Sequence, residues 1–277
     1  MSHQPIPLED FFEDVIGKAC RGLGIDDGTL SFITGVDEAK IVGLKNGEFD
    51  EQACRELCST LSLDADALVA MAAKTWAPKP VDVSGLRQFH SIYGGDMGVN
   101  AYVAFDEATK SAAVFDTGAD ASELISTVAE LGLKVEAVLI THTHHDHIIE
   151  LDRVLTETGN PPCFVSDREP LPQAEGFAPG RTFQIGGLTI STRSTTGHSV
   201  GGVSYVIEGL SKPVVIVGDA LFSSSMGGGV VSFPDALESN RRELFTLSDD
   251  CVVCPGHGPM STIGEEKAHN PFYPEFK

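Results

Sequence analysis

Residues 141–147, THTHHDH, contain four histidines and an aspartate directly after an apolar run. A strand that ends in a tight loop can direct alternate side chains, here His142 and His144, to one point. A turn then brings Asp146 and His147 to a neighbouring point. Imidazole binds zinc, iron and other borderline ions, and a carboxylate among imidazoles also suits harder metals that hydrolyse substrates or handle oxygen. The spacing therefore predicts a metal site with room for two ions.

Three further residues of metal-binding type follow later apolar segments. His198 comes after the segment 188–193, Asp219 after the run 214–217 and Gly218, and His257 after the segment 251–254. In each case apolar residues stop and a polar ligand type begins, which is where active sites at strand ends place their chemistry. The alternative, a histidine-rich surface loop, does not explain this repetition. The four segments together indicate one metal-dependent site and an enzyme.

The motifs THTHHDH, TGHS, GDALF and PGHGP occur in this order, and on them residues 84–277 resemble the metallo-β-lactamase fold. The segments 218–222 and 256–272 further resemble the glyoxalase II-like branch of that family. The resemblance implies an α/β (α+β) chain folded as an αββα sandwich. Pattern alone, with strands and helices alternating after residue 84, indicates only the α/β class.

The resemblance also implies which residues hold the metals. One ion would be bound by His142, His144 and His198, the second by Asp146, His147 and His257, and Asp219 would bridge them. The implied cofactor is a pair of Zn²⁺ ions or a Zn/Fe/Mn mixture, and in the iron-dependent alternative one Fe²⁺.

Further residues are predicted to support the ligands. In resembling proteins the aspartate at Asp116 lies outside the ligand set and orients it, as hydrogen-bonded carboxylates do for ligating histidines. The other interpretation of Asp116, an aspartate that opens a turn, stays open. Thr141 and Thr196 are also expected to support the site. We leave His145 out of the ligand set, and the remaining histidines are interpreted as surface or packing residues: His3, His90 and His269.

Two positions depart from the glyoxalase II-like pattern. Glu150 stands where a glycine is usual, and Gly228 stands where an arginine is expected. The missing cation weakens the case for an anionic substrate at that place. The sequence after residue 272 also lacks the basic helical region that grips glutathione in glyoxalase II enzymes, so glutathione specificity is not expected.

The chain is strongly acidic. It has 277 residues with 19 basic and 40 acidic side chains, a formal net charge of −21. Such a chain repels nucleic acid and anionic membrane surfaces. Residues 1–8 show no signal-peptide pattern, and no apolar run approaches the roughly 20 residues that a membrane helix needs. We expect a cytoplasmic protein that acts on a small molecule, and the sequence is compatible with a homodimer. The six scattered cysteines are expected to be buried and not to form disulfides.

Residues 1–76 are predicted to form a small all-α domain. Helical spacing begins near residue 9, and further helices are predicted over 29–33, 37–44, 50–61 and 64–73, with Asp50 and Asp64 as N-caps. The segment from Gly24 to Leu68 resembles a Cro/repressor-type helix-turn-helix domain. However, residues 1–80 carry 7 basic and 14 acidic side chains, which disfavours phosphate contact. We interpret this module as one used for packing, dimerisation or shaping the active-site mouth.

Residues 77–83, with Ala77-Pro78-Lys79-Pro80, are predicted to be a short stiff linker. After it the apolar patterns predict the following elements. Strands are expected over 100–105, 111–115, 135–140, 182–185, 188–193, 202–208, 213–217 and 251–254, and helices over 119–131, 148–156 and 235–247. The glycine-rich stretch 222–233 is expected to line the mouth of the site.

The leading functional hypothesis is a binuclear metal-dependent hydrolase of a small thioester or ester. A metal-bound hydroxide would attack the carbonyl, and Asp146 would accept a proton or orient the nucleophile. The first alternative is a mononuclear iron persulfide dioxygenase of the same branch, with His142, His198 and Asp219 as its ligands. The second alternative is a DNA-binding regulator with a metal-sensing domain.

Overall fold

The structure, a computed structural model, describes residues 6–277, so His3 lies outside the described residues. Two six-stranded sheets face each other, with the strand orders β1-β2-β3-β4-β5-β6 and β12-β11-β10-β9-β8-β7. The strands are β1 Leu86–Tyr93, β2 Met97–Phe105, β3 Ser111–Phe115, β4 Lys134–Leu139, β5 Cys163–Ser166, β6 Glu175–Phe177, β7 Thr182–Ile185, β8 Leu188–Ser194, β9 Val203–Glu208, β10 Val214–Gly218, β11 Val252–Pro255 and β12 Ser261–Thr262.

Ten α-helices surround the sheets, and a short 3₁₀-helix, Pro274–Phe276, ends the chain. The helices are α1 Phe12–Leu23, α2 Asp27–Thr34, α3 Glu38–Lys45, α4 Glu51–Leu61, α5 Ala65–Ala72, α6 Ser122–Glu130, α7 His145–Ile148, α8 Leu151–Glu157, α9 Phe233–Glu243 and α10 Ile263–His269. No helix among residues 6–277 is both long and apolar enough to cross a membrane.

Three apolar clusters give the layers of the sandwich. One lies between the sheets and includes Phe115, Ile190 and Tyr205. A second joins the first sheet to α6 and α8 through residues such as Leu124 and Val154. The third joins the second sheet to α9, α10 and α1–α5. The αββα sandwich with additional N-terminal helices is therefore confirmed.

The N-terminal helices pack directly on the outer face of the second sheet. The apolar cluster that contains Ile16, Leu44 and Leu57 of the helices also contains Val215 and Val253 of β10 and β11. Four of the five helices begin at an aspartate whose carboxylate accepts a backbone N–H of the first turn, which satisfies a donor that has no partner inside the helix. These caps are Asp26, Asp37, Asp50 and Asp64. The helix predictions in this region are confirmed, whereas the domain boundaries at residues 76 and 84 stay predictions.

The helix predicted over 148–156 corresponds to α8, which begins three residues later than predicted and is separated by a break from the short helix α7. In a continuous helix the carbonyl of His147 would accept the N–H of residue 151. Here that carbonyl accepts hydrogen bonds from the N–H and the hydroxyl of Thr117, at 2.9 Å and 3.0 Å. These hydrogen bonds anchor α7, the short helix that carries Asp146 and His147, to the end of β3.

Other boundaries also differ from the predictions. Helix α6 begins at Ser122, three residues later than predicted, because the carboxylate of Asp120 accepts the N–H of Ser122 in a local turn. Helix α9 begins two residues earlier, at Phe233, because the Ser232 hydroxyl caps it. Strands β1, β5, β6 and β12 and helices α7 and α10 were not predicted. The six cysteines are all buried and free, as expected.

Candidate metal centre

The predicted ligands all follow strand ends at one edge of the sandwich. The loop after β4 carries His142 and His144, and α7 carries Asp146 and His147. The loop after β8 carries His198, and Asp219 and His257 directly follow the neighbouring parallel strands β10 and β11. Strands from both sheets therefore deliver polar side chains to one place. The structure brings together all seven residues that the resemblance implies, in two groups.

The first group consists of His142, His144, His198 and Asp219. Nδ1 of His144 lies 3.1 Å from Nε2 of His142 and 3.0 Å from Nε2 of His198. Oδ2 of Asp219 lies 3.3 Å from Nε2 of His198 and 3.8 Å from Nε2 of His142. In a tetrahedral zinc site with bonds of about 2.0 Å, neighbouring ligand atoms lie about 3.3 Å apart. The spacing of these four atoms fits such an ion.

The second group consists of Asp146, His147 and His257. Oδ2 of Asp146 lies 3.5 Å from Nε2 of His147 and 3.3 Å from Nε2 of His257. Asp219 also reaches this group, because its Oδ1 lies 3.3 Å from Nε2 of His147 and its Oδ2 lies 3.3 Å from Nε2 of His257. Asp219 thus lies between the two groups, where one carboxylate can serve both.

Unpaired buried atoms support a cation at this place. Nε2 of His147 and Oδ1 of Asp219 are buried and have no hydrogen-bond partner among the described residues. Buried polar atoms without partners are rare in folded proteins, and each needs an explanation. Metal coordination would satisfy both atoms, so this donor set fits divalent metal ions.

The charges of the site agree with this interpretation. Burial alone would lower the pKa of His147, but the carboxylates of Asp219 and Asp116 raise it to about 10. Burial opposes the charge of His257 too, yet Asp219 and Asp146 raise its pKa to about 11. The pKa of Asp219 lies well below its usual range, although burial acts to raise it, because His257, His147 and His142 surround it. The carboxylates favour positive charge here, and a metal ion supplies that charge while displacing protons from the imidazoles.

Asp116 supports the metal loop through three hydrogen bonds. Its Oδ2 accepts from Nδ1 of His147 at 2.9 Å and from the Thr141 hydroxyl at 2.7 Å, and its Oδ1 accepts the N–H of Thr141 at 2.8 Å. The hydrogen bond to Nδ1 directs Nε2 of His147 towards Asp146 and Asp219. Asp116 has a positive φ of 54°, a backbone conformation that residues other than glycine rarely adopt. This geometry favours the supporting role of Asp116 and gives Thr141 a part in it.

We expect the substitution Asp116→Asn to weaken metal binding and activity by about 10- to 100-fold, the usual effect of removing a partner behind a metal ligand. An amide cannot accept from both His147 and Thr141 as a charged carboxylate does. Metal affinity should be measured by competition with a chelator, alongside hydrolysis rates. The control is Asp120→Asn in the exposed turn that follows β3, where asparagine caps as well as aspartate. Equal metal affinity in the two variants would contradict the role of Asp116.

The other residues that the sequence analysis named lie outside the two groups. The carbonyl of Thr196 accepts from Ser239 at 2.8 Å, and its hydroxyl makes no hydrogen bond to another residue of the range 6–277. His145 is exposed and its Nδ1 lies 3.0 Å from the Tyr93 hydroxyl, outside both groups. His269 stacks on Trp76. In the stretch 222–233, the carbonyl of Gly228 contacts Nδ1 of His198 at 3.0 Å.

Glu169 supports the site, and the sequence analysis missed it. Its Oε2 accepts the N–H of Thr143 at 2.8 Å, and its Oε1 accepts the N–H of Gly201 at 2.8 Å. It therefore ties the loop of His142 and His144 to the loop of His198. Its signal in the sequence is an acidic residue shortly after the apolar strand β5, the same strand-end position that identified the ligands.

Asn100 is the second residue that was missed. It is fully buried in β2, and its amide donates to the carbonyls of Pro255 and Gly258 at 3.0 Å and 2.8 Å, so it holds the loop that carries His257. His90 contacts Oδ1 of Asn100 at 2.9 Å through Nδ1 and has a packing role. An asparagine inside an apolar strand is the signal, because a buried amide must find hydrogen-bond partners.

Comparisons with known proteins identify the family. The sequence profile of the metallo-beta-lactamase superfamily matches residues 94–257, more than half of the chain. A probable metallo-hydrolase of Streptococcus pyogenes is 33% identical over 203 residues, which cover 64% of this chain and 86% of the relative. The hydroxyacylglutathione hydrolase GloC of Haemophilus influenzae is 30% identical over 192 residues, 59% of this chain and 87% of the relative.

A solved structure agrees with this result. The crystal structure of ETHE1 from Myxococcus xanthus has a TM-score of 0.61 and 28% identity, and the match covers 69% of this chain and 84% of that one. The helix-turn-helix resemblance lies before the matched profile and stays a prediction. The fold and these similarities show that the chain belongs to the metallo-beta-lactamase superfamily.

Proposed function

We propose that the chain is a binuclear metal-dependent hydrolase of a small thioester or ester. The observation that carries this proposal is the position of Asp219. Its two carboxylate oxygens lie 3.3 Å from ligand atoms of both groups, Nε2 of His198 in one and Nε2 of His147 and His257 in the other. A carboxylate in this position can hold two ions at a separation that lets them share one water molecule.

The proposed ligands are His142, His144 and His198 for one ion and Asp146, His147 and His257 for the other, with Asp219 between them. The ions are two Zn²⁺ or a Zn/Fe/Mn mixture. When bound, such ions lower the pKa of a water molecule towards neutrality and polarise the carbonyl oxygen of the substrate. Asp146 would orient the attacking water. Burial acts to raise the pKa of Asp146, but its hydrogen bond to His257 and the charges of His147 and His257 together lower that pKa below its usual range.

Two observations support a thioester or ester substrate. The relative GloC is named for the hydrolysis of a hydroxyacyl thioester of glutathione, and this chain matches 87% of its length. No serine or cysteine nucleophile is needed when metal ions activate water. The six cysteines are buried and therefore cannot serve as nucleophiles for a soluble substrate.

The test combines metal analysis with activity. Protein purified without added metal or chelator should contain about two zinc, iron or manganese ions per chain, measured by elemental mass spectrometry. It should hydrolyse simple acyl thioesters, followed by release of the free thiol. Removal of the ions with a chelator should abolish hydrolysis, and adding zinc or manganese should restore it. Protein with two ions per chain but no hydrolysis of any thioester or ester would contradict the proposed reaction.

A second candidate function is that of a mononuclear iron persulfide dioxygenase. The resemblance of residues 218–221 to the persulfide dioxygenases of this branch favours it, and His142, His198 and Asp219 would bind the iron. One iron per chain, together with oxygen consumption on addition of glutathione persulfide, would support this candidate. A single iron would leave the second group, including the unpaired Nε2 of His147, without a role. We therefore prefer the hydrolase.

The third candidate, a metal-sensing DNA-binding regulator, has little electrostatic support. Lys40 and Lys45 are the cations of α3, the helix at the recognition position. They form ion pairs with Asp50 and Asp27, each at 2.7 Å, which offset their charge. We propose that the N-terminal helices do not bind nucleic acid. A gel shift of mixed duplex DNA at low salt would contradict this.

A further inference from the structure

A cleft of about 400 Å³ lies beside the metal centre, between residues 7–11 and the hairpin of β1 and β2. Its lining includes Gly98 and Gly258. The carbonyl of Gly98 contacts Nδ1 of His257 at 2.5 Å, and Gly258 is the residue after His257. The cleft therefore opens directly beside a proposed metal ligand.

Residues 7–11 are packed tightly against the loop of His257. A Cβ atom on Gly258 would lie 3.2 Å from the backbone nitrogen of Glu9 and 3.5 Å from its Cβ, and Gly258 has a positive φ of 78°. The helical N-terminal region thus contributes to the wall of the site.

This wall is anchored to the stretch 222–233 on its other side. The buried carboxylate of Asp10 accepts hydrogen bonds from Lys18 and from the hydroxyl of Ser225. Lys18 also donates to the carbonyl of Met226 at 2.8 Å. The ammonium group of Lys18 is thus occupied by Asp10 and is not available to a substrate.

The lining of the cleft is apolar and acidic. Its side chains include Leu8, Phe11, Ile92 and Met97, the carboxylates of Glu9 and Asp96, and the imidazole of His90. No lysine or arginine of the described residues lines it. Phe11, Ile92 and Met97 are each between 43% and 54% exposed, so the apolar surface is open to a ligand. The ammonium group of Lys74 lies outside the lining, 5.9 Å from the centre of the Phe11 ring. A ligand that complements this surface has a hydrocarbon arm and a positive charge.

We infer that this cleft binds the leaving-group side of the substrate and selects a thioester or ester whose apolar arm ends in an ammonium group. The inference rests on the proposed hydrolase function and names its substrate class. A glutathione thioester carries two carboxylates and one ammonium group, so its net charge is negative and has the same sign as Glu9 and Asp96. Gly228 stands where an arginine is expected in the resembling enzymes, so no cation at that position offsets this repulsion.

The test uses three thioesters that differ only in the end of one arm: the S-acetyl derivatives of 6-aminohexane-1-thiol, hexane-1-thiol and 6-mercaptohexanoic acid. We expect kcat/KM to be highest for the amine and lowest for the carboxylate, with about a tenfold ratio between them, since two partly exposed charges each contribute a few-fold. The ratio should shrink at 1 M salt because salt screens exposed charges.

Variants assign the preference to the cleft. Glu9→Gln and Asp96→Asn should each reduce the amine-to-carboxylate ratio about threefold, and the double variant should bring it near one. The control is Glu107→Gln, an exposed carboxylate in the turn at the opposite end of β2. An unchanged ratio in the double variant would overturn the inference.

A binding experiment separates this inference from the proposed reaction. Hexylammonium and hexan-1-ol should be titrated calorimetrically into the purified protein and into the double variant. We expect the ammonium compound to bind more tightly, and only in the protein that retains Glu9 and Asp96. Such binding without hydrolysis of any thioester would leave the cleft assigned and reject the hydrolase. Hydrolysis of all three thioesters at equal rates, without hexylammonium binding, would reject the cleft alone.

Discussion

The substitution Asp219→Asn is expected to reduce the metal content from about two ions per chain to one or fewer, and to lower kcat/KM by at least on the order of a thousandfold. The physical reason is that Asp219 lies within 3.3 Å of ligand atoms in both groups, so its charge serves two ions at once. Loss of a partner behind a single ligand costs about 10- to 100-fold, and loss of a shared ligand should cost more. Elemental mass spectrometry and thioester kinetics measure the two effects.

The matched control is His145→Gln, in the same loop but outside both groups. His145 is exposed and its ring contacts only Tyr93 among the aromatic side chains of residues 6–277. We expect this variant to keep its metal content and its activity within about twofold, as surface substitutions usually do. An Asp219→Asn protein that retains two ions and near-normal kinetics would contradict the assignment of Asp219, whereas a mononuclear iron enzyme would lose its single ion.

A second large effect is expected in stability and comes from Glu266. This glutamate is fully buried in α10, and burial raises its pKa from 4.5 to about 7, although hydrogen bonds from Asn270 and from the N–H of Ser224 act in the opposite direction. A raised carboxyl pKa stabilises the folded state below pH 4.5, and this contribution is lost as the pH rises to about 7. The shift corresponds to about 3 kcal/mol.

We therefore expect Glu266→Gln to gain stability relative to the unmodified chain as the pH increases. The difference in the free energy of unfolding between the two proteins should change by about 3 kcal/mol from pH 4.5 to pH 8, in favour of the glutamine variant at pH 8. Urea denaturation of both metal-loaded proteins at each pH gives this difference and cancels the titration of the histidines. A pH-independent difference for Glu266→Gln would refute the expectation.

The sequence was informative wherever a side-chain pattern depends on local geometry. The alternation in 141–147 and the polar residues after apolar runs were sufficient to predict the ligands that the structure brings together at one edge. The aspartate caps at Asp50 and Asp64 were predicted for the same reason, because a cap and the N–H groups that it accepts lie within four residues.

The features that the sequence analysis missed depend on contacts between residues that are far apart in the chain. The break between α7 and α8 depends on Thr117, which lies 30 residues before His147 in the sequence. Glu169 joins two loops that are far apart in the chain, and Asn100 donates to a carbonyl 155 residues away. The side chains of strand β1 do not alternate regularly between buried and exposed positions, so the sequence shows no period of two residues there. Such partners are known only once the two sheets have been assembled.

The shared apolar cluster of α1–α5 and the second sheet determines the order in which the chain can fold during synthesis. The helices leave the ribosome first, but the side chains that cover their apolar face, such as Val215 and Val253, follow more than a hundred residues later. At roughly 5–20 residues per second, that interval is on the order of ten seconds. During this time the nascent helices expose apolar surface, which makes them a binding site for chaperones until β10 and β11 arrive.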